Sequence, residues 1–168
     1  MNCINIFTDG AVPNNQLQGN RNGGVGVFFG NNDSRNISHN IKETRDNKVT
    51  NQVCELLACI LALETIISTQ VVGKKELIIY TDSMYVINSI TLWAKNWKKN
   101  NWRRLDNKPI QNLELIKKLH YLSKNLKVGY KHIKAHTNPP DEDSDDYFEW
   151  YGNYMADKLA VQGSIKKN

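Results

Sequence analysis

At Thr50 the hydrophobic pattern changes period, and this constrains the fold more than any other feature of the chain. Val53, Leu56, Leu57, Ile60, Leu63 and Ile67 recur at i, i+3 and i+4 spacing, which predicts an amphipathic helix of about five turns. Before it the apolar runs are short and punctuated by Gly and Asn. Residues 3–9 (CINIFTD), 24–30 (GVGVFFG) and 37–41 predict three strands joined as antiparallel hairpins. A polar stretch rich in Asn and Gly separates the first two. After the helix, 77–80 predicts a fourth strand ending at Asp82, and 83–90 and 92–100 two short helices. A helix marked by Leu113–Leu122 follows Pro109, then a last strand at 128–134 and a last helix at 152–162. That order predicts an α/β fold: a five-stranded mixed sheet, its first three strands antiparallel, flanked by helices.

A length of 168 residues fits a single domain, 1–168. Twenty-two Lys and Arg against 17 Asp and Glu leave a net charge of +5, which weakly favours a polyanionic partner. No apolar run is expected to reach the roughly 18–20 residues that span a bilayer. The N-terminus opens into MNCINIFTDG without a basic, then apolar, leader. The expectation is therefore an intracellular protein (cytoplasm or nucleus), not secreted, with no membrane association. Cys3, Cys54 and Cys59 lack CxxC spacing, which predicts reduced, buried thiols. With no obvious extra apolar helix, a monomer is expected.

Two aspartates close predicted strands in look-alike contexts, Asp9 in FTDG and Asp82 in YTDS. If those strands are neighbours their carboxylates converge, and two such charges raise each other's pKa unless a cation neutralises them. Oxygen donors without a Cys–His cluster favour Mg²⁺ or Mn²⁺ over zinc. The alternative is that each Asp starts a turn or caps a helix, as Asp82 could for 83–90. Glu55 lies early in the long helix beside its apolar stripe, where favourable interaction with the helix dipole would also explain it. Asp157 sits among Met155, Ala156, Leu159 and Ala160, a costly place for a carboxylate that nothing binds. Asn153, four residues earlier, shares its helical face and could orient the site. A lone histidine such as His136, in KHIKAHT, is more often an ordinary loop or packing residue than a functional one.

These residues carry a resemblance. FTDG around Asp9, TNQVCELLACILALE around Glu55, YTDSMYVINSITLWAKNWKKNNW around Asp82, HIKAH at 132–136 and GNYMADKLA at 152–160 resemble the blocks of the type 1 ribonucleases H, over roughly residues 4–163. The resemblance implies an RNase H-like fold and an enzyme that cuts the RNA strand of RNA–DNA hybrids internally, leaving 5′-phosphate and 3′-hydroxyl ends. It implies that Asp9, Glu55, Asp82 and Asp157 are catalytic and bind two Mg²⁺ ions, with Mn²⁺ a substitute, and that His136 assists product or proton traffic. Retroviral reverse-transcriptase domains share the fold, but the basic helical segment looks more like that of the free-standing cellular type.

That segment, WAKNWKKNNWRR at 93–104, interleaves Lys95, Lys98, Lys99, Arg103 and Arg104 with three tryptophans and no acid. Alone it reads equally as a solvated cationic helix with buried indoles. The resemblance makes it a basic protrusion that grips the DNA strand, Lys98 and Lys99 included. By the same resemblance Tyr85, Trp93 and Trp97 line a DNA-sugar channel, Thr50 and Asn112 hold a DNA phosphate, and Asn51 and Gln52 reach the minor groove, where a 2′-hydroxyl distinguishes RNA. Lys48 stands where the family carries an Arg, so phosphate is held there without a bidentate fork. Residues 137–151 form a longer, acidic loop insertion than the short family version; it reads first as a solvated surface loop, and alternatively as a phosphate mimic that shields the site or competes for metal at low Mg²⁺. No separate hybrid-binding module is expected ahead of residue 3, and processivity is then expected to be poor unless a partner supplies grip. The competing readings are a catalytically silent hybrid-binding module on the same fold and another nuclease of the broad superfamily.

Overall fold

The computed structural model describes residues 3–13, 21–69 and 75–166; part of the polar stretch between the first two strands lies outside them. Strands β1 (Cys3–Ala11), β2 (Asn22–Phe28), β3 (Ile37–Lys42), β4 (Glu76–Thr81) and β5 (Val128–His132) form one sheet in the order β3-β2-β1-β4-β5. The first three pair antiparallel, and β4 runs parallel to both β1 and β5. Helix α1 (Asn51–Ser68) follows β3, α2 (Met84–Asn88) and α3 (Ala94–Lys99) follow β4, α4 (Leu113–Leu126) precedes β5, and α5 (Tyr147–Ile165) ends the chain.

Alternation along β1 separates two cores. Ile6 faces α1 and α4, buried with Leu56, Ile60, Leu63, Ile79, Ile116 and Leu119. Phe7 points the other way, into a cluster with Phe28, Tyr80, Ile133 and Ala156 under α5. At Gly26 of β2 an added Cβ would lie 2.2 Å from the Ala156 carbonyl oxygen. Only glycine lets the α5 backbone rest directly on β2, and that contact sets the depth of Asp157 one residue further on.

Several boundaries differ from expectation. The two helices expected over 83–90 and 92–100 are joined without a break by a π-helical turn, Ser89–Trp93. There the Thr91 hydroxyl donates to the Ile87 carbonyl at 2.6 Å, the kind of side-chain intrusion that loosens a helical ladder. Helix α5 starts five residues earlier than expected, so 147–151 of the acidic insertion is helix; the aromatic contacts of Phe148 and Tyr151 with Phe7 and Phe28 hold it. β5 stops at His132, although the Ile133 N–H still donates to the Thr81 carbonyl. Cys3 is exposed, whereas Cys54 and Cys59 are buried, and all three are free thiols. The expectation that no apolar run reaches spanning length is also corrected. α1 is long and apolar enough by length and composition (mean hydropathy 1.4), but half of it is buried within the protein, as a core helix must be.

Candidate active site

Phe7 pairs with Tyr80 across the parallel β1–β4 ladder. That pair is the last of the ladder; Asp9 lies two residues further along β1 and Asp82 one residue beyond the end of β4, so both acids leave the ladder at the same level, which explains why their sequence contexts match. Glu55 arrives from α1 because Gly10 permits it: a Cβ there would lie 2.7 Å from the backbone of Cys54 and Glu55. One carboxylate oxygen from each of Asp9, Glu55 and Asp82 lies within 4.8 Å of the other two. Asp157, from α5, adjoins this trio and adds to the raising of the Asp9 carboxyl.

The electrostatics follow from burial. Asp9 and Glu55 are 4% and 8% exposed. Burial, then the Glu55 charge, pushes the Asp9 carboxyl far above the ordinary range. Burial likewise raises Glu55, to about 7, and the Asp82 charge adds to it. Asp82 is raised by burial and by Asp157, against the lowering influence of His136 and, less strongly, His132. Like charges are being held together where water is scarce.

The alternative structural explanations of these acids do not hold. Ser83, not Asp82, caps α2, its hydroxyl accepting from the Val86 N–H. Glu55 lies beyond the first turn of α1, which holds no acid and is capped by Thr50. Glu55 Oε2 and Asn153 Oδ1 are buried without a hydrogen-bond partner among the described residues. Unused lone pairs in a buried cluster of oxygen donors fit a hard divalent cation, held by Asp9, Glu55 and Asp82 with Asp157 adjoining.

His136 is exposed, follows β5 by four residues and adopts a positive φ of 51°. Sequence reasoning gave His132 no role, yet its charge also reaches Asp82.

Around the starts of α1 and α4 a groove of about 890 Å³ collects Lys48, Thr50, Gln52 and Asn112 with Lys42 and Arg45. Asn51 is exposed at the start of α1 but is not among the residues lining this groove. Asn112, in the left-handed region (φ 56°), donates its side-chain amide to the Tyr85 hydroxyl at 3.0 Å. That bond leads into a second groove of about 380 Å³ between Tyr85, Trp93, Trp97 and Arg104. Trp93, Trp97 and Arg104 also line a third, with Lys99 and Arg103. Lys98 points elsewhere, its ammonium 5.5 Å over the Tyr121 ring. Trp102 packs against His120 and Tyr121. Sequence reasoning had not singled out Arg45 or Gln111 as site residues; Gln111 lines both of the first two grooves, and only its position beside Asn112 hinted at it.

Asp82 follows the end of β4, whereas Asp9, expected to close its strand, lies inside β1, which runs on to Ala11 paired with β2. A mixed sheet that gathers these carboxylates where its two central strands stop pairing defines the RNase H-like class. A family model described as RNase H matches residues 1–165, and the chain belongs to the RNase H family. It is 35% identical to a ribonuclease H of Schizosaccharomyces pombe over 95% of this chain and 52% of the relative. With a ribonuclease H of Wigglesworthia glossinidia brevipalpis it shares 37% identity over 86% of this chain and 83% of the relative. The chain thus spans about half the length of the yeast relative, and about half that of the mammalian ones. The solution structure of the PFV RNase H domain superposes with a TM-score of 0.64 at 25% identity, covering 96% of this chain and 93% of that one.

Proposed function

We propose that this chain hydrolyses the RNA strand of RNA–DNA hybrids internally, leaving 5′-phosphate and 3′-hydroxyl ends. The observation that carries the reading is the convergence of Asp9, Glu55 and Asp82 within 4.8 Å in a buried setting, in a chain of the RNase H family. In this reading Asp9 and Asp82 are the central ligands of two Mg²⁺ ions, which Mn²⁺ can replace, and Glu55 and Asp157 flank them. When bound, such ions supply activation of the attacking water and stabilisation of charge on the leaving 3′ oxygen. Asn153 orients the carboxylates from α5, and His136, next to the Asp82 side, assists proton or product traffic.

The connected grooves supply the substrate grip. Lys48, Thr50 and Asn112 would take a DNA phosphate, Asn51 and Gln52 the minor groove, and Tyr85, Trp93 and Trp97 the DNA sugars. The Thr50 hydroxyl oxygen accepts from the Val53 N–H as the α1 cap, which leaves its O–H to donate to the phosphate. Residues 93–104 act as the basic protrusion, with Lys99 its better-placed lysine. We take the protein to work as an intracellular monomer.

A silent binding module is disfavoured by the same cluster. Binding a polyanion gives no reason to bury mutually repelling carboxylates beside it. The test is cleavage of an end-labelled hybrid against matched single-stranded RNA, double-stranded RNA and DNA. Internal cuts confined to hybrid RNA support the reading; hybrid binding without cuts in Mg²⁺ or Mn²⁺ overturns it in favour of the silent module.

A further inference from the structure

The N-terminal turns of α5, which the sequence pattern leaves as loop, form an aromatic buttress. Trp150 stacks on Tyr154 with centroids 5.3 Å apart and planes 14° apart, and lies 5.7 Å from Tyr147. Tyr147 stacks on Tyr151, which meets Phe28 edge-on and donates its hydroxyl to Asn31 at 2.6 Å. Phe148 edges onto Phe7 and Tyr80, and Glu149 pairs with Lys131. These contacts fix the start of α5 to the sheet.

From this support the Trp150 indole Nε1–H reaches out and donates to the Thr137 carbonyl at 3.0 Å. Thr137 is exposed and follows His136, whose positive φ is uncommon outside glycine. The other end of the span is fixed by the Ile133 N–H on the Thr81 carbonyl at 3.0 Å, one residue before Asp82. His136 therefore sits on a short segment tethered at both ends, and among the described residues the far tether is the Trp150 indole hydrogen bond. An exposed loop held in this way keeps one geometry, whereas the same loop released samples many.

We propose that Trp150 is a positioning residue: through the Thr137 carbonyl it holds His136 beside Asp82. The inference rests on the reading of His136 as an assisting residue of hybrid cleavage, and the readouts separate the two.

Trp150→Phe keeps an aromatic ring in the stack and removes the donor. The backbone order parameters of His136 and Thr137 should be near about 0.85 in the wild type and fall below about 0.6 in the variant, with the rest of α5 unchanged. Hybrid cleavage should lose about tenfold in kcat with KM unaltered. In a His136→Ala background the same substitution should cost no further kcat. Unchanged order parameters, or an equal kcat loss without His136, would overturn the proposal. If the wild type cleaves no hybrid, the functional reading fails while the order parameters still judge the tether. Should Trp150→Phe fold poorly, hydrogen exchange of the wild-type Trp150 indole decides. Exchange about tenfold slower than for a free indole supports the tether, and exchange at the free rate refutes it.

Discussion

Phe7 and Tyr80 face each other across the parallel β1–β4 ladder with ring centroids 4.6 Å apart and planes 15° apart. Each lies two residues before an aspartate, so the stack sets the level at which Asp9 and Asp82 meet. The strands bring the two acids together whether or not the acids favour it, and the packing beneath them bears the repulsion.

Neutralising one carboxylate should therefore stabilise the metal-free protein. Asp9→Asn removes a carboxyl whose ionisation burial, and then Glu55, Asp82 and Asp157, oppose in the folded state. We expect a gain of about 1–3 kcal/mol, several degrees in Tm, from thermal unfolding in EDTA, with loss of hybrid cleavage. A Tm drop in EDTA would mean that Asp9 is a structural hydrogen-bonding group.

The pH dependence carries a definite sign. Glu55 is raised from 4.5 to about 7 in the folded state. A carboxylate raised on folding contributes stability below its unfolded pKa and loses it as pH climbs through the folded one. Without divalent ions the wild type should thus lose about 2–3 kcal/mol relative to Glu55→Gln between pH 4.5 and 7, read from urea unfolding at each pH. Saturating Mg²⁺ should flatten the difference, and parallel profiles without metal would contradict the assigned cause.

Much of this site was legible in the sequence, for physical reasons that can be named. FTDG and YTDS look alike because they occupy equivalent positions on neighbouring parallel strands, and a pattern of 3.6-residue period placed Glu55 at the edge of a buried stripe. What could not be read locally depends on partners far along the chain. The acidic run after Pro139 and Pro140 looks like loop to its end, yet Phe148 and Tyr151 find Phe7 and Phe28 and continue the helix. Lys98 and Lys99 are equivalent in sequence, and only the position of Tyr121 on α4 turns one of them away from the groove.

That difference makes the protrusion testable residue by residue. Lys99→Ala and Arg104→Ala should each weaken hybrid binding and reduce the salt slope of log Kd by about 1. Lys98→Ala should change the slope less, because its ammonium lies over Tyr121. Fluorescence-anisotropy titrations across a salt series would show it; equal slopes for Lys98 and Lys99 variants would count against the assigned orientations.

The acidic segment ahead of α5 acts by charge in our account. Asp141, Glu142, Asp143 and Asp145 are exposed, whereas Glu149 is paired with Lys131. Converting the first four to amides should lower KM for hybrid by roughly threefold at low salt and by little above about 0.3 M, where screening removes the repulsion. A KM shift that survives high salt would argue for a contact and against phosphate mimicry.

Cleavage of an end-labelled RNA–DNA hybrid by the wild type and by Asp82→Asn, across a Mg²⁺ titration with an EDTA control, tests the central claim most directly. The account predicts internal cuts in the RNA strand that need Mg²⁺ and fall by at least about a thousandfold in Asp82→Asn. Cleavage that persists in EDTA, or that Asp82→Asn leaves intact, would contradict it.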